Sequence, residues 1–419
     1  MFVQTACFNA DVAAFFSKWL EDVVDAQSAQ GAFPDVAPRL VHVADAAAAW
    51  GDAGVIVPWT LYRHYGDRGI LERMWGPMTA WMNYLLEANP NYLWLERRNS
   101  DFGDWLAQDG DDPANAMGSR TPKDLLATAY WAYDASLMVR MARALGKASE
   151  ALEYQNLFER IKAAFREAYV LEDGTLAGDT QTAYVLALHF NLLEPLERQR
   201  AGEHLVTALE RRGNHLTTGF VGVSYLCPVL CRIGRVDLAY TLLLNETFPS
   251  WGYSIKNGAT TVWERWDGWT LEGGFQDSGM NSFNHYSLGS VGQWLYQSVA
   301  GLDSDPDAPG FSHIRIAPQP GGGLTFARAS IETPRGQVSC GWTFEGDTFT
   351  LELTIPPNTT ATVTWPFETE ALWDLEHTQH LTPLDGQNRT FSLGSGRYTL
   401  EGSGTGVDFL SASSQEALP

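Results

Sequence analysis

The residues best suited to chemistry lie in the run 261–269, which reads TVWERWDGW and combines three tryptophans, two carboxylates and one arginine. Hydrophobic cores rarely mix tryptophan with charged residues. Sugar rings present flat C–H faces that stack on indoles, and their hydroxyls need charged or amide partners. The run therefore predicts the floor of a sugar-binding site, with Glu264 as the candidate catalytic carboxylate. The alternative is that the tryptophans fill space between helices while Glu264 and Arg265 form an ordinary surface ion pair.

Two earlier segments couple acids to aromatic residues in the same way. Residues 50–59 read WGDAGVIVPW and residues 101–106 read DFGDWL, so we expect Trp50, Asp104 and Trp105 at the site. Asp52 precedes a predicted helix, where it could cap exposed N–H groups or contact a ligand. The acids at 109–112 predict a solvated or ion-attracting loop, but their spacing does not follow the EF-hand pattern, so no metal site is predicted.

His285 lies in the run 281–286, NSFNHY, between two asparagines and a tyrosine. An isolated histidine is more often structural, but this one follows the Glu264 loop directly. We therefore expect it to contact a substrate hydroxyl and not to transfer a proton. The sequence has no Gly-x-Ser-x-Gly elbow and no Ser-His-Asp order that would support acyl transfer.

Apolar residues recur at spacings of three and four from the first residues to about 301, which predicts a helical domain over 1–302. The stripe from Phe8 to Val23 predicts one helix. Further helices are expected at 55–65, 71–86, 123–145, 148–169, 180–192, 194–212, 222–233, 236–244 and 284–300. Because no Rossmann-type glycine fingerprint accompanies them, the pattern favours paired helices that close into a ring.

The sequence pattern changes around 303–310. After this point, short segments with alternating apolar and polar residues are separated by turn residues. They predict an antiparallel β-sandwich of about eight strands over 303–403. The small, polar residues at 404–419 predict a disordered tail.

The bulk composition excludes several classes of protein. A net charge of −22, with 28 basic against 50 acidic residues, argues against nucleic acid binding. No apolar run is long enough to cross a bilayer, and the first residues carry no export leader, so we expect a cytoplasmic protein without a membrane partner. Cys227 and Cys231 are four apart, but no second Cys/His pair supports zinc.

Taken in order, these segments resemble the bacterial α-L-rhamnosidases of glycoside hydrolase family 78. The likeness spans essentially the whole chain and rests on residues 35–39, 50–59, 103–106, 121–130, and above all 260–266 followed by 282–286. It implies a mainly α protein with a β domain, an (α/α)6 barrel followed by an antiparallel β-sandwich. It implies a rhamnose-containing oligosaccharide or glycoside as partner, and we expect no cofactor and no metal.

The family inverts the anomeric centre, so the resemblance implies two carboxylates about 6.5–9.5 Å apart with a water between them. Glu264 matches the general base, which deprotonates the water attacking C1 of a terminal α-L-rhamnosyl residue. The resemblance also implies that Trp50 stacks on the sugar and that Asp104 and His285 bind its hydroxyls. Trp105 is carried over as a further sugar-binding residue.

One part of the family pattern is missing. The family's general acid is a glutamate in an Asp-Glu-Arg-x-Gly-Trp-Thr-Gly-Asp stretch upstream of the first barrel helix, whose interior residues 1–9 resemble. The sequence lacks this stretch and the upstream β-domains. Because a general acid contributes about 10²–10⁴ in rate, we expect a weakly active or inactive polypeptide. Two alternatives remain: a rhamnose-binding module or split-enzyme subunit without turnover, and another (α/α)6 enzyme such as a different glycosidase or a lyase.

Overall fold

The computed structural model describes residues 1–41, 44–98, 101–110, 118–367, 372–381, 384 and 389–403. Within these ranges a helical domain precedes a β-domain whose first strand begins at Leu302. The acids at 111 and 112 and the predicted tail at 404–419 lie outside the described residues.

Two concentric layers of helices make up the first domain. The inner layer contains α1 (Val3–Asn9), α3 (Ala53–Tyr65), α5 (Lys123–Ala144), α7 (Gln181–His189) and α9 (Phe220–Arg232). It ends in α12, our name for the consecutive 3-10, α and π turns Ser287–Val291, Gly292–Trp294 and Leu295–Ala300. The outer layer contains α2 (Ala13–Asp25), α4 (Arg68–Ala88), α6 (Ala148–Tyr169), α8 (Pro195–Glu210) and α10 (Val236–Leu244), and the short α11 (Trp251–Lys256) follows.

The inner helices close into a ring, which confirms the predicted (α/α)6 barrel. Each one packs against the next, and α1 packs against both α3 and α12. Thr5 joins the two ends of the ring, since its hydroxyl donates to the Ser290 carbonyl at 3.0 Å and accepts from the Gln293 amide at 3.0 Å.

Burial separates the two layers. In α7 eight of nine residues are buried, whereas α6 buries only Ala151, Ile161, Phe165 and Tyr169 of its 22 residues. A helix that is apolar around its whole circumference must be enclosed, and one with a single apolar stripe lies at the surface of a core. The fraction of buried residues thus distinguishes the inner helices from the outer ones.

The single helix expected over the stripe from Phe8 to Val23 is wrong. The chain breaks after Asn9, and the Val12 amide donates to the Tyr65 hydroxyl at 2.9 Å. Phe8 belongs to the inner layer and stacks on Tyr296 at 4.8 Å, whereas α2 buries its apolar side chains from the outer layer. The apolar spacing of three and four therefore runs on across two separate helices, although they bury different faces.

The described part of the second domain is a sandwich of two sheets. Before it, the short strands β1 (Trp269–Thr270) and β2 (Gly274–Phe275) pair within the last long loop of the helical domain. The strands of the sandwich are β3 (Leu302–Ser304), β4 (His313–Ile316), β5 (Phe326–Thr333), β6 (Gly336–Glu345), β7 (Thr348–Ile355), β8 (Thr360–Thr364), β9 (Leu372–Asp374), β10 (Gln379–Leu381), β11 (Thr390–Leu393) and β12 (Gly396–Ser403). The larger sheet has the order β10-β9-β12-β7-β6-β5 and the smaller one β11-β8-β4-β3. The sandwich is confirmed, but it is not wholly antiparallel, because β4 pairs with β8 in parallel.

The sandwich supports the end of the barrel. Trp342 on β6 donates its indole N–H to the Val299 carbonyl at 2.7 Å, and Arg63 at the end of α3 donates to the Ser304 carbonyl at 3.1 Å. No helix in the described ranges is long and apolar enough to cross a membrane. Cys227 and Cys231 are buried thiols, and Cys231 accepts a hydrogen bond from the Trp294 indole at 3.0 Å.

Two carboxyl groups, those of Asp52 and Asp134, meet inside the barrel, and both residues are 0% exposed. Asp52 occupies the N-cap position of α3 without capping it, because its Oδ2 accepts from the Ala49 amide at 2.5 Å. Trp81 donates its indole N–H to Asp134 Oδ2 at 2.9 Å. Burial raises the pKa of both carboxyl groups, and the Asp52 charge raises that of Asp134 further. Two adjacent buried anions repel, so the pair retains a proton.

The shared proton makes stability depend on pH. A raised folded-state pKa contributes stability below the pKa of an unfolded Asp, about 3.9, and this contribution is lost as pH rises through the folded-state pKa. We therefore expect the free energy of unfolding to fall as pH rises above about 4, by about 1.4 kcal/mol per unit of pKa difference. Asp134→Asn should flatten this dependence, since an amide donates to Asp52 at any pH.

Urea unfolding at several pH values between 5 and 9 measures the effect. Asp25→Asn, at an exposed position on α2, is the matched control and should keep the wild-type dependence. An Asp134→Asn protein with the wild-type pH dependence would rule out the shared proton.

Candidate active site

Glu264 is fixed by backbone pairing between two parts of the last long loop. Its amide donates to the Ser282 carbonyl at 2.8 Å, and the His285 amide donates to the Val262 carbonyl at 2.9 Å. The Ser282 amide in turn donates to Glu264 Oε2 at 2.8 Å. Only 13% of the Glu264 side chain is exposed. One carboxylate oxygen is therefore held by the backbone, and Oε1 faces the imidazole of His285.

His285 lies beside this carboxylate, with 3.9 Å between its Nε2 and Glu264 Oε1. The Ser287 amide donates to its Nδ1 at 3.3 Å, which assigns the proton of the neutral ring to Nε2. Phe220 and Tyr286 stack on the ring, with centroids 5.2 and 4.7 Å away. Burial lowers the pKa of His285, and the Glu264 charge opposes that change. The imidazole is thus a neutral donor directed at the carboxylate.

The first two tryptophans of the 261–269 run do not form the predicted floor. Trp263 and Trp266 are only 6% and 2% exposed. Trp266 donates its indole N–H to the Thr218 carbonyl at 3.0 Å. Arg265 donates two hydrogen bonds to Asp267, at 2.8 and 2.9 Å, and not to Glu264, so the alternative of a Glu264–Arg265 surface pair is also wrong. The core absorbs the first two tryptophans, and the ion pair supports the loop that carries Glu264.

A row of aromatic residues, joined by ring contacts and one backbone hydrogen bond, links Trp50 to His285. The half-buried Trp50 lies 4.7 Å from Phe102, which lies 5.7 Å from Trp105. The Trp105 carbonyl accepts from the Phe220 amide at 2.9 Å, and the Phe220 ring stacks on His285. The predicted residues Trp50, Trp105, His285 and Glu264 are therefore joined by continuous contacts at the end of the barrel where α3, α5 and α9 begin.

Asp104 belongs to the same region but is 0% exposed. One of its oxygens accepts from the Val221 and Gly222 amides at 2.8 and 3.1 Å. The other accepts from the Gly219 amide at 2.8 Å and the Thr182 hydroxyl at 2.5 Å. Burial raises the pKa of Asp104 to about 6, and these hydrogen bonds oppose the rise. In place of the predicted sugar contact, the geometry gives Asp104 a structural role at the start of α9.

Asp109 is also enclosed and not solvated, since it is 5% exposed and accepts from the Arg120 amide at 3.0 Å. No cluster of three or more His, Cys, Asp or Glu side chains in the described ranges could hold a metal ion. Sequence reasoning missed Phe220 and Ser282, which orient His285 and Glu264. Phe220 acts through its ring and has no local signal, whereas Ser282 lies in the 282–286 run but acts through its backbone, which its residue type does not reveal.

The domains match known family models. Residues 1–299 match the bacterial α-L-rhamnosidase six-hairpin glycosidase domain, and residues 301–380 match the bacterial α-L-rhamnosidase C-terminal domain. The chain belongs to the bacterial α-L-rhamnosidase family.

Relatives in this α-L-rhamnosidase family align over nearly the whole chain. An α-L-rhamnosidase of Streptomyces avermitilis is 44% identical over 398 residues, covering 95% of this chain and 37% of its own length. One from Formosa agariphila is 39% identical over 370 residues, covering 87% of this chain and 39% of its own length. The chain thus spans about two fifths of these curated relatives.

Solved structures of family members also align with nearly the whole chain. The S. avermitilis α-L-rhamnosidase complexed with L-rhamnose superposes with a TM-score of 0.88 at 43% identity, covering 96% of this chain and 37% of that one. The enzyme from Dictyoglomus thermophilum superposes with a TM-score of 0.86 at 29% identity, covering 95% of this chain and 44% of that one.

The structural role of Asp104 is testable. In Asp104→Asn an amide N–H replaces one acceptor oxygen and opposes the N–H groups at the start of α9. We expect a loss of about 1–3 kcal/mol in the free energy of unfolding, as for an unsatisfied buried polar group. Thr182→Ala removes a single contact and should cost less. Urea unfolding measures both variants, and an Asp104→Asn protein of wild-type stability with weakened L-rhamnose binding would favour the sugar contact instead.

Proposed function

We propose that this chain forms the catalytic part of an α-L-rhamnosidase that removes terminal α-L-rhamnosyl residues with inversion, with Glu264 as the general base. The observation that carries the proposal is the geometry of Glu264, whose Oε2 is held by the Ser282 amide while Oε1 remains directed at His285. The family membership of the chain supports the same chemistry.

In the proposed reaction, Glu264 removes a proton from a water as the water oxygen bonds to the rhamnosyl C1. The bond from C1 to the aglycone oxygen breaks on the opposite face, and a carboxylic acid protonates the departing oxygen. Trp50, half-buried at the far end of the aromatic row, offers a face for the apolar side of the sugar. The substrate is a rhamnose-containing glycoside or oligosaccharide.

We propose further that the general acid comes from outside these 419 residues. The acid-bearing stretch expected from the resemblance is not in the sequence, and Asp267, the nearest acid to Glu264 in the chain, is engaged by Arg265. Without that acid, bond cleavage depends on how well the aglycone departs unprotonated.

Glu264→Gln should reduce kcat for an activated aryl α-L-rhamnoside by about 10²–10⁴, the contribution expected of a general base. The amide is isosteric and cannot accept the proton, so folding and L-rhamnose binding should persist, as measured by thermal unfolding and calorimetry. Asp267→Asn, which weakens the ion pair with Arg265 in the same loop, is the control for damage to the loop. Turnover that survives Glu264→Gln would remove this residue from the mechanism.

The missing acid predicts a steep dependence on the leaving group. A dinitrophenyl rhamnoside departs without protonation, whereas a methyl rhamnoside needs an acid, so kcat/KM of the 419-residue chain should fall sharply along a series of aryl and alkyl rhamnosides. A flat series would show that the chain contains its own acid. L-rhamnose binding without turnover of even the dinitrophenyl compound would favour the binding module.

A further inference from the structure

Glu264 and His285 face each other across a gap that one oxygen atom fits. The 3.9 Å between Glu264 Oε1 and His285 Nε2 is too long for a direct hydrogen bond. An oxygen placed about 2.8 Å from each atom would complete two good hydrogen bonds. Both side chains are mostly buried, 13% and 21% exposed, so the gap is a defined position and not open solvent.

The two groups offer opposite hydrogen-bonding functions to that oxygen. Because the Ser287 amide donates to Nδ1, the neutral ring carries its proton on Nε2 and acts as a donor. Glu264 Oε1 is an acceptor. A water between them accepts from His285 and donates to Glu264, which leaves it with one lone pair and one hydrogen. Its orientation is then fixed, with the remaining lone pair directed away from both side chains.

We propose that His285 holds the attacking water together with Glu264, and so acts on the nucleophile and not only on a sugar hydroxyl. This inference rests on the proposed function. As the remaining lone pair bonds to C1, the water proton passes to Glu264 Oε1 and the His285 hydrogen bond stays on the same oxygen. The C1–aglycone bond breaks, and the carboxylic acid of the proposed function protonates the departing oxygen.

The surroundings of His285 fit a positioning task. Phe220 and Tyr286 stack on the ring and restrict its rotation, while the Ser287 amide fixes its tilt. The opposite side of the gap is fixed as firmly, because the Ser282 amide holds Glu264 Oε2. Both groups that would hold the water are thus ordered before any substrate arrives, which is the condition for efficient attack.

A stereochemical consequence follows from inversion. The water oxygen becomes O1 of the product, so the released sugar is β-L-rhamnose with O1 still between Glu264 and His285. L-Rhamnose added to the protein should therefore bind as the β anomer, with O1 within hydrogen-bonding distance of both side chains.

Two substitutions of His285 test the roles of its two ring nitrogens separately. In His285→Asn the amide oxygen still accepts from Ser287, but nothing reaches the water; in His285→Gln the amide nitrogen reaches the place of Nε2. With an activated aryl rhamnoside, we expect Asn to lower kcat about 10²-fold, the cost of a misplaced reactant, with little change in KM. Gln should recover part of this loss. His204→Gln, on the outer helix α8, is the control and should behave as wild type.

The opposite split, a raised KM with unchanged kcat, would overturn the proposal and make His285 a hydroxyl ligand. Glu264→Gln, measured in parallel, tests the proposed function separately. If this variant keeps its turnover, Glu264 is not the base and the proposed function fails, whatever the His285 variants show. A crystal structure with L-rhamnose gives a second readout that needs no turnover. O1 of the β anomer between the two side chains supports the proposal, and O1 elsewhere overturns it.

Discussion

The Asp104 carboxylate lies without solvent contact on the amides of Gly219, Val221 and Gly222, the first turn of α9. An anion at a helix N-terminus satisfies donors that the helix leaves unpaired and interacts favourably with its dipole. The turn fixed in this way carries the Thr218 carbonyl that holds Trp266 and the Phe220 ring that stacks on His285. The aromatic loop at 101–106 and the loop of Glu264 therefore share one anchor, and their spacing depends on it.

The sequence predicted that Glu264 and His285 lie together, and the structure places their side chains 3.9 Å apart. The sequence was a poor guide to Asp104, which shows the same local pattern. Whether an acid in a loop faces solvent or a helix terminus depends on a partner, and here Gly219 lies 115 positions away. Gly219 itself is required because a Cβ there would lie 2.2 Å from the Trp105 carbonyl oxygen. Such close approaches leave no trace in local sequence.

The fold divides along similar lines. Helices α6 and α10 begin and end at the residues predicted, because apolar period and flanking turns specify an isolated helix locally. The break after Asn9 was missed, since no glycine or proline marks it. Strands β9 and β10 have three residues each, too few to show alternation, and the parallel pairing of β4 with β8 is decided by how the chain crosses between sheets. The buried pair Asp52–Asp134 likewise joins helices that only the ring brings together.

The contact of Thr5 with Ser290 and Gln293 spans 285 and 288 positions, and it is the closure of the ring. During synthesis, α1 leaves the ribosome long before α12 exists. The side of α1 that packs against α12 therefore has no partner until the last helix is made. Closing a loop of this length costs entropy, and the contacts that offset this cost form only when the last segment docks. A nascent chain that contains only the first five pairs of inner and outer helices would thus expose the barrel interior through one slit, the position that α12 later fills. Chaperone holding at that stage, and aggregation through the slit when it fails, are the expected cellular consequences of building a barrel in this order.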